Sequence, residues 1–172
     1  GTTAMLQINM YKEIYTSEQI ILGTVKDVRD DDWFYKLEGM GESFDWIFGH
    51  YAAVEDWFLH HLNSEPYELP PEWQNTYWPD PSGNDLTPEN AVGRTGVIAG
   101  FQETRQRLYS ALKTDIFHLN RCVKPGFFPP PVKTRGDAWL FIAAHAYWHV
   151  GQLNSLRATL GYPYEGGKGI HH

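Results

Sequence analysis

At 172 residues the chain has the length of one ordinary domain, and with 42% hydrophobic and 15% aromatic residues it can fill one sizeable core. A formal charge of -7, with no cluster of Lys and Arg, argues against nucleic acid or an anionic membrane as a partner. Cys122 is the only cysteine, which excludes an intrachain disulfide and suits a reducing compartment; no stretch has a signal-peptide layout or approaches the roughly 18 uninterrupted apolar residues of a membrane span, so a single-domain cytoplasmic protein is the expectation.

Four helical segments are predicted in chain order. The first is placed from Ser17 through Val28, with Ile20, Ile21, Val25 and Val28 as its stripe and "RDDD" as its end. The second has Ser43 as N-cap, and Phe44, Ile47, Phe48, Tyr51, Val54, Phe58 and Leu62 recur at spacings of three and four up to Asn63. For the third, "TPEN" offers Thr87 as cap and Pro88 at the first helical position, while Gly93, Gly96 and Gly100 weaken the turns that follow; the firm part runs from Thr95 to Lys113. The fourth begins near Asp137, carries Trp139, Ile142, Ala146, Val150, Leu153, Leu156 and Leu160, and is closed by Gly161 and Pro163. No alternating strand pattern stands beside these.

Two connections are long. Residues 64 to 87 hold five prolines and the rings Tyr67, Trp73, Tyr77 and Trp78, a composition that reads as non-helical. "RCVKPGFFPPPVKT", before the last helix, carries Phe127 and Phe128. Either segment can serve as a lid or pocket wall, or simply cover an end of the bundle.

The chemistry concentrates in "AAHAYWHVGQL". On a helix, His145 and His149 lie about 40° apart around the axis and about 6 Å along it, so both rings face one neighbour and can converge on one ion. Two buried imidazoles without partners would be costly, and a transition metal relieves that cost; hydrogen-bonded core histidines would relieve it as well. His50, on the apolar side of the second helix, is the candidate third ligand. His60 and His61 lie about 15 Å further along that helix and are read as solvated residues near its C-terminus, while His118 is an outside candidate. Gln152, one turn past His149, can bond a ligand imidazole or a substrate. Gly151 is read as allowing close helix packing, Tyr147 and Trp148 as core or dimer surface, and Glu103 and Arg105 as a solvated face. Arg157 is expected to pair with an acid. Asp45 and Glu55 lie off the face of His50, and Cys122 has no placed partner histidine. Gly1, His171 and His172 have the look of a cloning scar and a tag.

The combination of "SFDWIFGHYAAVEDWFLHHL" with "AAHAYWHVGQLNSLRATLGYP" resembles the DinB-like (YfiT-related) superfamily of four-helix-bundle metalloproteins. The matching residues are His50 after Trp46, then His145, His149, Gly151, Gln152, Leu156, Arg157, Leu160 and Gly161. The resemblance implies an all-α, up-and-down four-helix bundle, a homodimer, and a divalent metal, nickel or zinc, on His50, His145 and His149. Three neutral imidazoles leave at least one position of such an ion for a water or a thiolate, the pattern of catalytic sites. The family implication favours transfer of a low-molecular-weight thiol to a small-molecule substrate. A metal-dependent hydrolase using activated water, or a non-catalytic small-molecule binder, are the alternatives.

Overall fold

Helix ends leave backbone groups without intrahelical partners, and here local side chains meet them. In the computed structural model, which describes residues 2–79 and 85–163, four long helices form: α1 (Thr2–Gly23), α2 (Phe44–Asn63), α4 (Arg94–Asp115) and α5 (Arg135–Leu160), with a short α3 (Glu72–Thr76) in the crossover. His171 and His172 lie outside the described residues. The Ser43 side chain accepts from the Trp46 N–H and starts α2 at the expected residue. Thr134 and Asp137 form a reciprocal capping box at the start of α5, and Gly161 closes it in the left-handed conformation with φ 84°. Among the described residues no strand forms, only an isolated bridge between Cys122 and Thr134, and no helix is long and apolar enough to cross a membrane.

Three boundaries differ from the sequence expectation. α1 starts fifteen residues before Ser17, at Thr2. Ser17 is not a cap but part of a buried stripe with Met10, Ile14 and Ile21, and its hydroxyl bonds the Ile14 carbonyl at 2.8 Å. A polar residue inside an apolar stripe interrupts the periodic signal. Val25 and Val28, by contrast, lie past the end of α1 in the following turn and are still buried. "TPEN" forms an isolated turn closed by Asn90 on Thr87, and α4 begins only at Arg94. Residues 72–76 are helical despite the prolines around them, because Pro71 stands at the N-cap, where its missing N–H costs nothing.

Contacts along the helices give their directions. Phe48 meets Phe101, Glu55 meets Arg105 and Asp56 meets Arg107, so α2 and α4 run parallel. Tyr51 bonds the Ala146 carbonyl, Phe58 packs on Trp139 and Arg135 reaches the Leu62 carbonyl, so α2 and α5 run antiparallel. Tyr11 against Tyr109 and Ile14 against Arg105 make α1 and α4 antiparallel. The all-α bundle expected from the sequence is thus up, down, down, up. Strict alternation is broken by the long crossover, which returns the chain to the starting end before α4 begins.

That crossover is bound tightly to the helices it joins. The Asp56 carboxylate accepts from the backbone N–H of Glu68 and Leu69 and from Arg107. Trp73 and Tyr77 lie flat against α4 and α2 where those helices carry glycine. A Cβ at Gly100 would stand 2.6 Å from the Trp73 ring, and one at Gly49 would stand 2.3 Å from the Tyr77 ring. Of the glycines that weaken the start of α4, Gly100 is therefore part of the floor on which the crossover rests, together with Gly49 of α2. Gly151 has the opposite role to its expected one: a Cβ there meets open space, so it is not a packing residue.

The interior divides into two apolar clusters, one around Phe44, Phe48, Phe101 and Leu153, the other around Phe58, Leu108, Trp139 and Ile142. Arg105, expected on a solvated face, is 2% exposed and belongs to the interior. Its Nε bonds both Glu55 oxygens at 2.9 and 3.1 Å, and its Nη1 bonds the Ile14 carbonyl and Ser17. Glu103 is exposed as expected. Removing one partner of such a buried pair strands a charge, whereas replacing both with apolar residues does not. Arg105→Met is expected to destabilise the bundle by about 3 to 5 kcal/mol, and Arg105→Met with Glu55→Leu to recover most of that loss. Urea unfolding midpoints of the two variants check this.

Candidate metal centre

His50 comes from the middle of α2, and His145 and His149 come from successive turns of α5, which packs antiparallel against it. The three Nε2 atoms converge: His50 and His149 each approach His145 Nε2 at 3.0 Å, and one ligand atom from each ring lies within 4.8 Å of the others. No other His, Cys, Asp or Glu group among the described residues forms such a cluster.

The orientation of each ring has a cause. His50 Nδ1 donates to the Tyr77 backbone carbonyl at 2.8 Å, and the ring stacks on Trp46 with centroids 4.5 Å apart. His149 Nδ1 donates to Gln152 Oε1, and the Gln152 amide donates in turn to Glu42 Oε1 at 3.0 Å. With the Nδ1 proton engaged, the neutral ring presents Nε2 as a bare lone pair. Burial favours that neutral form: it pulls His50 down to about 3, with the His149 ring adding to the effect, and pulls His145 and His149 below the usual histidine range.

The cluster fits a cation. Three neighbouring Nε2 atoms share two contacts of 3.0 Å, yet two of the rings already spend their proton on Nδ1. A single remaining proton on His145 can satisfy only one of those contacts. An ion about 2.0–2.1 Å from each nitrogen would satisfy all three, and tetrahedral ligands at that distance stand about 3.3 Å apart, close to the observed spacing. The donor set, three neutral nitrogens, suits a divalent transition metal.

The triad borders a cavity of about 770 Å³. Trp57, Trp78, Phe127, Phe128 and Trp148 wall it, so both long connections contribute to the pocket in addition to covering the bundle. Trp148, expected in the core or a dimer face, is 74% exposed at this rim.

The remaining titratable candidates are engaged elsewhere. Asp45 accepts from Trp33 Nε1 and the Tyr77 hydroxyl, both at 2.8 Å, and Glu55 is held by Arg105. His60 and His61 are half-buried, stacked on Tyr67 and Phe127, and not solvated as expected. His118 ends a 3-10 turn away from the triad, and Cys122 is an exposed free thiol. Arg157 pairs with Asp27, in line with its expected acid partner. Two contributors were not visible beforehand, the Tyr77 carbonyl and Glu42. A backbone carbonyl leaves no mark in a sequence, although Gly49 beside His50 hinted at a close approach.

A helical bundle with three inward histidines on its second and last long helices defines the class of protein. A model of the DinB superfamily matches residues 13–153, and the chain belongs to that superfamily. No curated protein matches the chain.

Because Tyr77 holds both His50 and Asp45, its seat on Gly49 is decisive for the site. Gly49→Ala is expected to push the Tyr77 ring away and destabilise the protein by about 1–3 kcal/mol, the usual range for overpacking a tight contact. Chemical denaturation compared with wild type checks it. Gly151→Ala, in open space inside α5, should instead raise stability by about 0.5–1 kcal/mol.

Proposed function

We propose that the protein is a metal-dependent thiol S-transferase in which His50, His145 and His149 hold a divalent transition metal, nickel or zinc. A low-molecular-weight thiol is the sulfur donor: its S–H bond breaks, its sulfur forms a bond to an electrophilic carbon of a second substrate, and the leaving group displaced from that carbon departs with the thiol proton. One observation carries this reading: three lone-pair nitrogens converge at the wall of a large aromatic chamber, where a substrate can reach them. Membership of the DinB superfamily supports it.

An ion bound there would supply the charge that makes a thiol release its proton near neutral pH. The chain's own residues do the rest. The Tyr77 carbonyl and Gln152 hold two of the rings with Nε2 turned toward their common centre. Trp46 braces His50 by stacking. The tryptophans and phenylalanines of the chamber hold an apolar electrophile and keep bulk water from competing with the thiol.

His145→Ala and His149→Ala are each expected to abolish metal retention, and Gln152→Ala to weaken metal affinity by about 10- to 100-fold while leaving the fold intact. Elemental analysis and a metal competition titration measure these. Unchanged metal content in both histidine variants would refute the site. Turnover of electrophiles only in the presence of added thiols supports the transferase, whereas ester or amide cleavage without any thiol would replace it with a hydrolase.

A further inference from the structure

Glu42 reaches the metal centre only through Gln152, and one of its two carboxylate oxygens takes no part in that contact. It precedes the Ser43 cap of α2 and is 8% exposed. Its Oε1 accepts from Gln152 at 3.0 Å, but Oε2 is buried and meets no protein donor. Burial pushes the carboxyl above the usual range, an effect that the Glu42 backbone N–H and the Gln152 amide offset only in part. A buried acceptor left without a donor carries its full desolvation penalty, which a ligand donor would relieve.

The rest of the lining selects which donor. Among the described residues around the cavity, Glu42 is the only one with a formal charge at neutral pH. Trp46, Trp57, Trp78 and Trp148 border the same cavity, and the faces of indole rings attract cations. At about 770 Å³ the chamber has the size of sites for drug-like molecules. Gln152 ties the carboxylate to His149, so a group held by Glu42 lies at the histidine end of the chamber.

We propose that the Glu42 carboxylate anchors a cationic nitrogen of the pocket's ligand, which makes the chamber selective for molecules that join an apolar or aromatic body to an ammonium group. This deepens the transferase reading by taking the same chamber as the substrate site, yet it requires neither bound metal nor turnover.

The test uses three indoles of similar size, tryptamine, tryptophol and indole-3-propionate, titrated against the full-length protein by calorimetry, both as purified and after chelation. Tryptamine is expected to bind at least about tenfold more tightly than indole-3-propionate, with tryptophol between them. Glu42→Gln keeps an acceptor for Gln152 and turns an amide into the chamber, so it should erase that order in the protein as purified and after chelation alike. Equal affinities for the amine and the acid in the wild type would overturn the proposal without recourse to any variant. So would an unchanged preference for tryptamine in Glu42→Gln, which would assign the selectivity to the general negative charge of the protein. Loss of metal binding in the histidine variants together with a retained amine preference supports both readings. Absence of metal from the wild type with the amine preference intact would remove the transferase and leave this one standing.

Discussion

The structure depends above all on how Tyr77 lies against α2. Its ring occupies the space that any side chain at position 49 would fill, its hydroxyl donates to Asp45, and its carbonyl accepts from His50. The same hydroxyl accepts from the Val92 N–H just ahead of α4. One residue of the crossover thereby secures the base of α2, the entry to α4 and the tautomer of a candidate ligand. Without it, the His50 proton would have no fixed acceptor, and the direction of its lone pair would be undetermined.

A second constraint comes from charges placed inside the bundle. The Arg105 and Glu55 pair separates the two apolar clusters and ties α1, α2 and α4 at mid-height. At one end, Arg135 and Asp115 join α5 to the end of α4, with Trp139 Nε1 also on that carboxylate. At the other, Arg157 reaches Asp27 and the Thr24 carbonyl. Only the Arg105 and Glu55 pair is buried on both sides; such a pair contributes little net stability compared with apolar packing but is strict about its partners, whereas Asp27 is 42% exposed. Arg135 on the Leu62 carbonyl and the Tyr51 hydroxyl on the Ala146 carbonyl set the height at which α5 meets α2, and that height brings His50 opposite His145 and His149.

The chamber and the triad are built differently. The triad stands on helices, where packing holds ring positions to within narrow limits, while much of the chamber wall comes from the two connections, through Trp78, Phe127 and Phe128. A histidine cluster on rigid helices with pocket walls supplied by loops lets the lining vary without disturbing the fold.

Much of this architecture was legible beforehand. The apolar stripe and Ser43 cap of α2, the Gly161 end of α5 and the four-residue spacing of His145 and His149 are all local, governed by groups within about one turn of each other. His50 became a candidate from its place on the apolar side of the second helix, and the resemblance of two separate segments then strengthened it. The misreadings share one origin: Ser17 looks like a cap and Arg105 like a solvated charge because each is polar, and the groups that make them interior residues are distant in sequence. The Glu55 and Ile14 partners of Arg105 lie 50 and 91 positions away. The sequence by itself determined the presence of four long helices, both ends of α2, the close of α5 and the histidine pair, since these follow from hydrogen bonds and periodicity along a single segment. Only the tertiary structure decided the direction of α4, the role of Gly49, the acceptor of His50 and the exposure of Glu42 to the chamber, because each depends on surfaces that meet only after the crossover has folded back.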